Sequence, residues 1–190
     1  MGSRAANKLG CVVWVTGLSG SGKTSLAQDL VSRLKARQVP LLSLDGDKLR
    51  EILQTDTFSD ANHSTQSRRK LAQTYAFLCR EIAAQGLTVV IATISLFRDV
   101  QRWNRENIPN YFEVYLKVPT DELRRRDPKG IYRRFDAGEI ANVAGMDLAV
   151  DEPYAPDVLI DFEADLSVQD CSKHVIEALL HRFDWLESKR

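Results

Sequence analysis

The chain has 190 residues, enough for one domain with a buried core, and its 26 lysines and arginines balance its 26 aspartates and glutamates. Zero net charge argues against a nucleic-acid binder that works by overall charge, and no apolar run approaches the roughly 18 residues of a membrane span. Three scattered cysteines (Cys11, Cys79, Cys171) and no secretory leader pattern read as buried thiols of a cytoplasmic protein.

Residues 1–10 are polar and are set aside as a lead-in; residues 11–190 read as a single domain. Val12-Val13-Trp14-Val15 has the β-branched and aromatic content of a buried strand. Gly17-Leu18-Ser19-Gly20-Ser21-Gly22-Lys23-Thr24 follows and fits G-x-x-x-x-G-K-[ST] at every fixed position. Leu26, Leu30, Val31 and Leu34 then recur at helical spacing, so a helix is expected from about Gly22 to Arg37. Leu41 to Leu44 is a second strand, running into Asp45-Gly46-Asp47, with a short helix expected over Lys48 to Gln54. Thr55 to Gln66 is polar and reads as a loop, and Ser67 to Gln85 as an amphipathic helix closed by Gly86. Leu87 to Ile94 is nearly all apolar, the pattern of a central parallel strand covered on both faces. A helix from Arg98 to Glu106 and a strand from Phe112 to Val118 come next, and Thr120 is placed as the cap of another helix. Asp127-Pro128-Lys129-Gly130 breaks that helix and opens an irregular region. Val158 to Ile160 is a last strand, and Ser167 with Asp170 resembles a capping box for a helix to about Glu187.

Strands alternating with helices imply a three-layer α/β domain with a mostly parallel, five-stranded sheet, its ligands at the carboxyl ends of the strands. A strand, a glycine loop and a helix together are the context of a phosphate-binding loop. Successive backbone N–H groups of Gly17, Ser19, Gly20, Ser21, Gly22 and Ser25 surround a triphosphate such as ATP, and the helix N-terminus adds positive potential. Lys23 reaches the β- and γ-phosphates, and the Thr24 hydroxyl is a Mg²⁺ ligand. Asp45 and Asp47, after the second strand, are the candidate catalytic carboxylates, with Asp45 also linked to the metal. The third strand ends in Thr93-Ile94-Ser95 without an acid, a distribution that suits a small-molecule kinase. A switch-type GTPase is excluded, because Asp127-Pro-Lys-Gly130 follows a helix and no guanine-reading N-K-x-D is present. Arg126, Lys129 and Arg133 lie where a cationic lid over the transferring phosphate belongs, at about residues 126–150, whereas Arg124 and Arg125 read as a solvated face.

The chain resembles the adenylylsulfate (APS) kinase family. The matching pieces are WVTGLSGSGKTSLA (Trp14 to Ala27), LDGDKLREIL (Leu44 to Leu53), Phe58-Ser59, Arg68-Arg69, ATIS (Ala92 to Ser95), FEVYLKV (Phe112 to Val118), RDPKGIY (Arg126 to Tyr132), and Ala137 to Ile140 with Gly145 to Asp147. The resemblance implies an ATP- and Mg²⁺-dependent kinase of the ribose 3′-hydroxyl of a sulfonucleotide, commonly a homodimer. It implies that Arg50 contacts the acceptor's charged group, that Phe58 stacks on its base, and that Lys129 belongs to the acceptor clamp. Ser95 stands where some relatives carry a phosphorylatable serine and is counted with the acceptor side.

The departures from the family pattern all fall on the acceptor side. His63 stands for an acceptor-binding arginine and Gln66 for an asparagine, and Ile94-Ser95-Leu96-Phe97 replaces I-S-P-Y. Asn142-Val143-Ala144-Gly145 replaces G-F-T-G, so Val143 takes the place of the second ring of an aromatic clamp on adenine. A base–aromatic stack is worth about 1–3 kcal/mol, so its loss implies a weaker or different base site. The resemblance ranks APS first as acceptor. Relatives in bacterial surface-polysaccharide pathways act on cytidine diphosphoramidate instead, and a smaller pyrimidine needs less stacking surface.

Overall fold

The computed structural model describes residues 9–53, 65–163 and 166–186. Strand β1 (Val12–Gly17) is buried along its whole length, and its pleat sends alternate side chains into two cores. Val13 and Val15 join Leu26, Leu30 and Leu34 of helix α1 (Lys23–Ala36), while Val12 and Trp14 join the opposite face. Strands β2 (Leu41–Asp45), β3 (Thr88–Thr93), β4 (Tyr111–Lys117) and β5 (Val158–Asp161) complete a sheet of order β2-β3-β1-β4-β5. Every pairing is parallel, as strands separated by helical crossovers require.

The helices form the outer layers. On the Trp14 face, α3 (Thr65–Ala84) packs Tyr75, Ala76 and Cys79, and α4 (Arg98–Asn107) packs Val100. On the other face, Val175, Ile176 and Leu179 of α7 (Val168–Arg182) lie with α1. Gly86 closes the chain after α3 at φ 88°, a left-handed position that glycine adopts without strain. The three cysteines are free, Cys11 and Cys79 buried and Cys171 half-buried. No helix among the described residues is long and apolar enough to cross a membrane.

Most ends agree with the sequence expectation to within a residue, and larger differences or a missing cap occur at the helices after β2, ahead of β3, after β4 and after β5. Helix α2 (Gly46–Ile52) starts two residues early, because the Asp45 carboxylate caps it, accepting from the Asp47 N–H at 2.9 Å and the Lys48 N–H at 3.4 Å. Helix α3 begins at Thr65, so Gln66 lies in its first turn and not in a loop. Helix α5 (Thr120–Arg126) starts at Thr120 itself, after Pro119, without a side-chain cap. Helix α7 does carry the Ser167 cap, which accepts from the Asp170 N–H at 3.1 Å, but ends at Arg182, followed by a 3-10 turn (Asp184–Leu186). The region expected to be irregular contains a further helix, α6 (Ile131–Asp136).

Candidate active site

Parallel strands place all their carboxyl ends on one edge, and the conserved chemistry of such sheets sits there. At this edge β1 turns into the glycine loop. Gly17 has no room for a side chain, since a Cβ would lie 2.6 Å from the Leu116 carbonyl oxygen. Gly22, at φ 97°, makes the left-handed step that starts α1. The N-terminus of α1 therefore faces the loop, with Lys23 as its first residue.

The Lys23 ammonium is half-buried and donates to the Leu18 carbonyl at 2.6 Å. Burial, reinforced by the nearby Lys129 and Arg50 cations and only partly offset by Asp45, lowers its pKa to about 7. Thr24 donates its hydroxyl to Asp45 Oδ2 at 3.0 Å. The other Asp45 oxygen is pinned to the α2 amides, so the carboxylate presents Oδ2 toward the loop. A hydroxyl and a carboxylate oxygen side by side fit a hard cation such as Mg²⁺. No group of three or more metal-binding side chains occurs among the described residues, so phosphates and water would complete the shell. Gly46 is buried behind Asp45; its carbonyl accepts from the Tyr75 hydroxyl at 3.0 Å, and a Cβ would sit 3.1 Å from Thr93 Oγ1. The Asp-Gly pair thus serves close packing as well as the turn.

Asp47 pairs with Arg50 on its own helix and with Lys129 across the cleft. Lys129 has a lowered pKa through burial and the neighbouring Arg50. Arg126 bonds Glu122 at 2.6 Å and lies 4.9 Å over the Phe162 ring. Arg125 shares Glu122, and the two arginines hold that carboxyl down at about 2; Arg124 pairs with Asp136 on the surface.

The lid follows. Asp127 caps α6, accepting from the Tyr132 N–H at 3.2 Å and the Arg133 N–H at 3.0 Å. Leu123, Tyr132 and Val143 form a small core against Leu18 of the glycine loop. Further on, Asp147 accepts from the Asn142 and Val143 N–H groups at 2.6 Å each, and Arg68 of α3 donates to the Asn142 carbonyl at 2.7 Å.

These elements enclose a cleft of about 1860 Å³, beyond the roughly 300–1,000 Å³ of an ordinary single-ligand pocket and large enough for a donor and an acceptor together. Ser19, Gly20, Gly22, Lys23, Thr24 and Ser25 line its donor end. Asp45, Asp47, Arg50, Ser95, Arg126, Lys129 and Val143 also line it. Gly17 and Ser21 lie outside that lining, and Ser21 is buried. Ser95 is buried at φ 32°, its hydroxyl 2.8 Å from that of Thr93. Gln66 is exposed and outside the cleft wall, which Thr65, Ser67 and Arg68 form instead. Phe58 and His63 lie outside the described residues.

The sequence placed Asp127 in a helix break, Tyr75 in an expected helix, and Arg68, Tyr132 and Asp147 in the family match, without indicating their contacts. Tyr132, Arg68 and Tyr75 reach the backbone of segments distant in the chain, a relation that local patterning does not encode, whereas Asp127 and Asp147 bond N–H groups four to six residues away. For Asp127 a signal existed: an aspartate before Pro-x-Gly is a capping residue for whatever helix follows.

The adenylylsulphate kinase family model matches residues 9–161. The chain is 36% identical over 166 residues to cytidine diphosphoramidate kinase of Campylobacter jejuni, covering 87% of this chain and 89% of that protein. It is 37% identical over 171 residues to adenylyl-sulfate kinase of Deinococcus deserti, covering 90% and 91%. The Mycobacterium tuberculosis APS kinase CysC, solved in complex with AMPPNP and APS, superposes with a TM-score of 0.74 at 34% identity, over 90% of this chain and 98% of that one. A glycine loop, a facing carboxylate and a two-ligand cleft accord with that kinship: the chain belongs to the adenylylsulphate kinase family and is a phosphotransferase with a hydroxyl acceptor.

Proposed function

We propose that the protein transfers the γ-phosphoryl group of ATP to the ribose 3′-hydroxyl of a nucleotide, and that this nucleotide is a pyrimidine of the cytidine diphosphoramidate kind. The observation that carries the acceptor is Val143. It replaces a family phenylalanine and is only 6% exposed, packed with Leu123 and Tyr132, so no ring is offered to a purine at that position. The Campylobacter jejuni relative, named for cytidine diphosphoramidate, supports the same choice. APS is the second reading, favoured by the family match and by the Mycobacterium tuberculosis kinase crystallised with it.

In this reading the loop amides and Lys23 hold the phosphates of ATP. Thr24 would hold Mg²⁺ directly and Asp45 through a bound water, and the ion would supply neutralising charge to the transferring phosphate. The acceptor oxygen attacks the γ-phosphorus in line, the bond to the β,γ-bridging oxygen breaks, and ADP leaves. The hydroxyl proton goes to Asp45 Oδ2, the oxygen that the α2 amides leave available. Arg50 and Lys129 receive the acceptor's anionic group, and Arg126 and Lys129 close the lid side.

The test is ADP release with saturating MgATP against cytidine diphosphoramidate, CDP, APS and no acceptor. Turnover confined to a cytidine nucleotide supports the proposal. Efficient turnover of APS alone replaces it with the second reading, and equal ADP release without any acceptor removes both.

A further inference from the structure

We propose that Tyr132 is a positioning residue for the phosphate loop, holding the Ser19–Gly20 peptide so that the Gly20 N–H faces the donor's phosphates; this rests on the reading of the loop as the ATP site. Tyr132 is 1% exposed and its hydroxyl donates to the Ser19 carbonyl at 2.8 Å, from 113 residues away in the chain. In a trans peptide the carbonyl and the following N–H point opposite ways. Drawing the Ser19 carbonyl outward onto Tyr132 therefore turns the Gly20 N–H inward, toward the cleft that both residues line. Burial raises the Tyr132 phenol to about 12, so it stays a donor across the physiological range.

Neighbouring contacts back this arrangement. A Cβ on Gly20 would lie 3.5 Å from Pro128 Cδ, and one on Gly145 would come within 2.6 Å of Leu18 Cδ1. Leu18, Ser19 and Gly20 are thus each met from the lid side. Asp127 anchors the Tyr132 backbone from the near side. The first turn of the lid and the tip of the loop form one packed unit, and donor affinity depends on a side chain that never touches the donor.

The test is Tyr132→Phe, which keeps the ring and removes only the hydroxyl. The Kd for MgADP and the KM for MgATP are expected to rise roughly 5- to 10-fold, the gain of a typical hydrogen bond, while the acceptor KM stays within about twofold. Amide exchange in the peptide spanning residues 17–24 is expected to quicken. Leu179→Ala is the control: it opens the core under α7, away from the loop, and is expected to lower Tm with MgADP affinity within about twofold. Unchanged MgADP affinity in Tyr132→Phe overturns the proposal whatever happens to Tm. So does an equal loss of affinity in Leu179→Ala. A wild-type protein that binds no MgADP removes the ATP-site reading itself.

Discussion

Lys23 is a cation held among cations. Its pKa is brought to about 7 by burial and by Lys129 and Arg50, so a fraction of the nucleotide-free protein carries it neutral near neutral pH. Triphosphate charge beside it restores the proton. MgATP binding is therefore expected to take up protons, up to about one at pH 8, and to weaken as pH rises through about 7, by at most about tenfold per unit. Calorimetry in buffers of different ionisation enthalpy measures this directly, and a buffer-independent heat with flat affinity contradicts it. Asp45→Asn is expected to lower kcat at least about 100-fold with MgATP affinity largely intact, since the chemistry and not the loop is disturbed. Asp47 is read from its contacts as acting through Lys129 and Arg50. Asp47→Asn combined with Lys129→Ala is then expected to be little worse than Lys129→Ala alone; additive losses in kcat/KM assign Asp47 a separate role.

Single elements show where local rules succeed and where they stop. The Ser167 cap of α7 was legible because capping is a matter of residues two or three apart, whereas Asp45 was read as a strand-end carboxylate and its capping of α2 was missed. Helix α6 was not, because its only strong start signal, the Asp127 carboxylate, lies four residues ahead of it across a proline and a glycine. Away from the site, the start of β5 is tied to α4, β4 and α7 by Asp157, whose carboxylate meets Arg105 and Arg182 at 2.6 Å each and the Glu113 N–H at 2.8 Å. Burial pushes the Glu113 carboxyl up, against the pull of Arg105. Asp157→Ala removes the shared acceptor of Arg182 and the Glu113 N–H, leaving Arg105 only Glu113 and the Ala155 carbonyl, and is expected to destabilise the fold by about 3 kcal/mol in urea titration, with the kinase constants of the folded protein unchanged.

At the scale of the whole molecule, the cleft is lined by residues of α2, the start of α3 and the segment after α5, and the proposed acceptor choice rests on how these meet. Val143→Phe adds ring volume to a small, filled core, so the ring is driven toward the cleft or strains the lid. The expected result is a lower KM for APS relative to a cytidine nucleotide; no change in that ratio removes Val143 from specificity. The alternation of strands and helices, the mostly parallel five-stranded sheet and the phosphate loop were legible in the sequence alone, because hydrophobic period and glycine spacing are local quantities, whereas the order β2-β3-β1-β4-β5 came only with the fold. Tertiary structure alone decided that Lys129 meets Asp47, that Arg68 holds Asn142, that Tyr132 reaches Ser19, and that Val143 packs with Leu123 and Tyr132. Those contacts join segments far apart in the chain, and only the folding of residues 123–147 against the sheet edge brings their atoms within bonding distance.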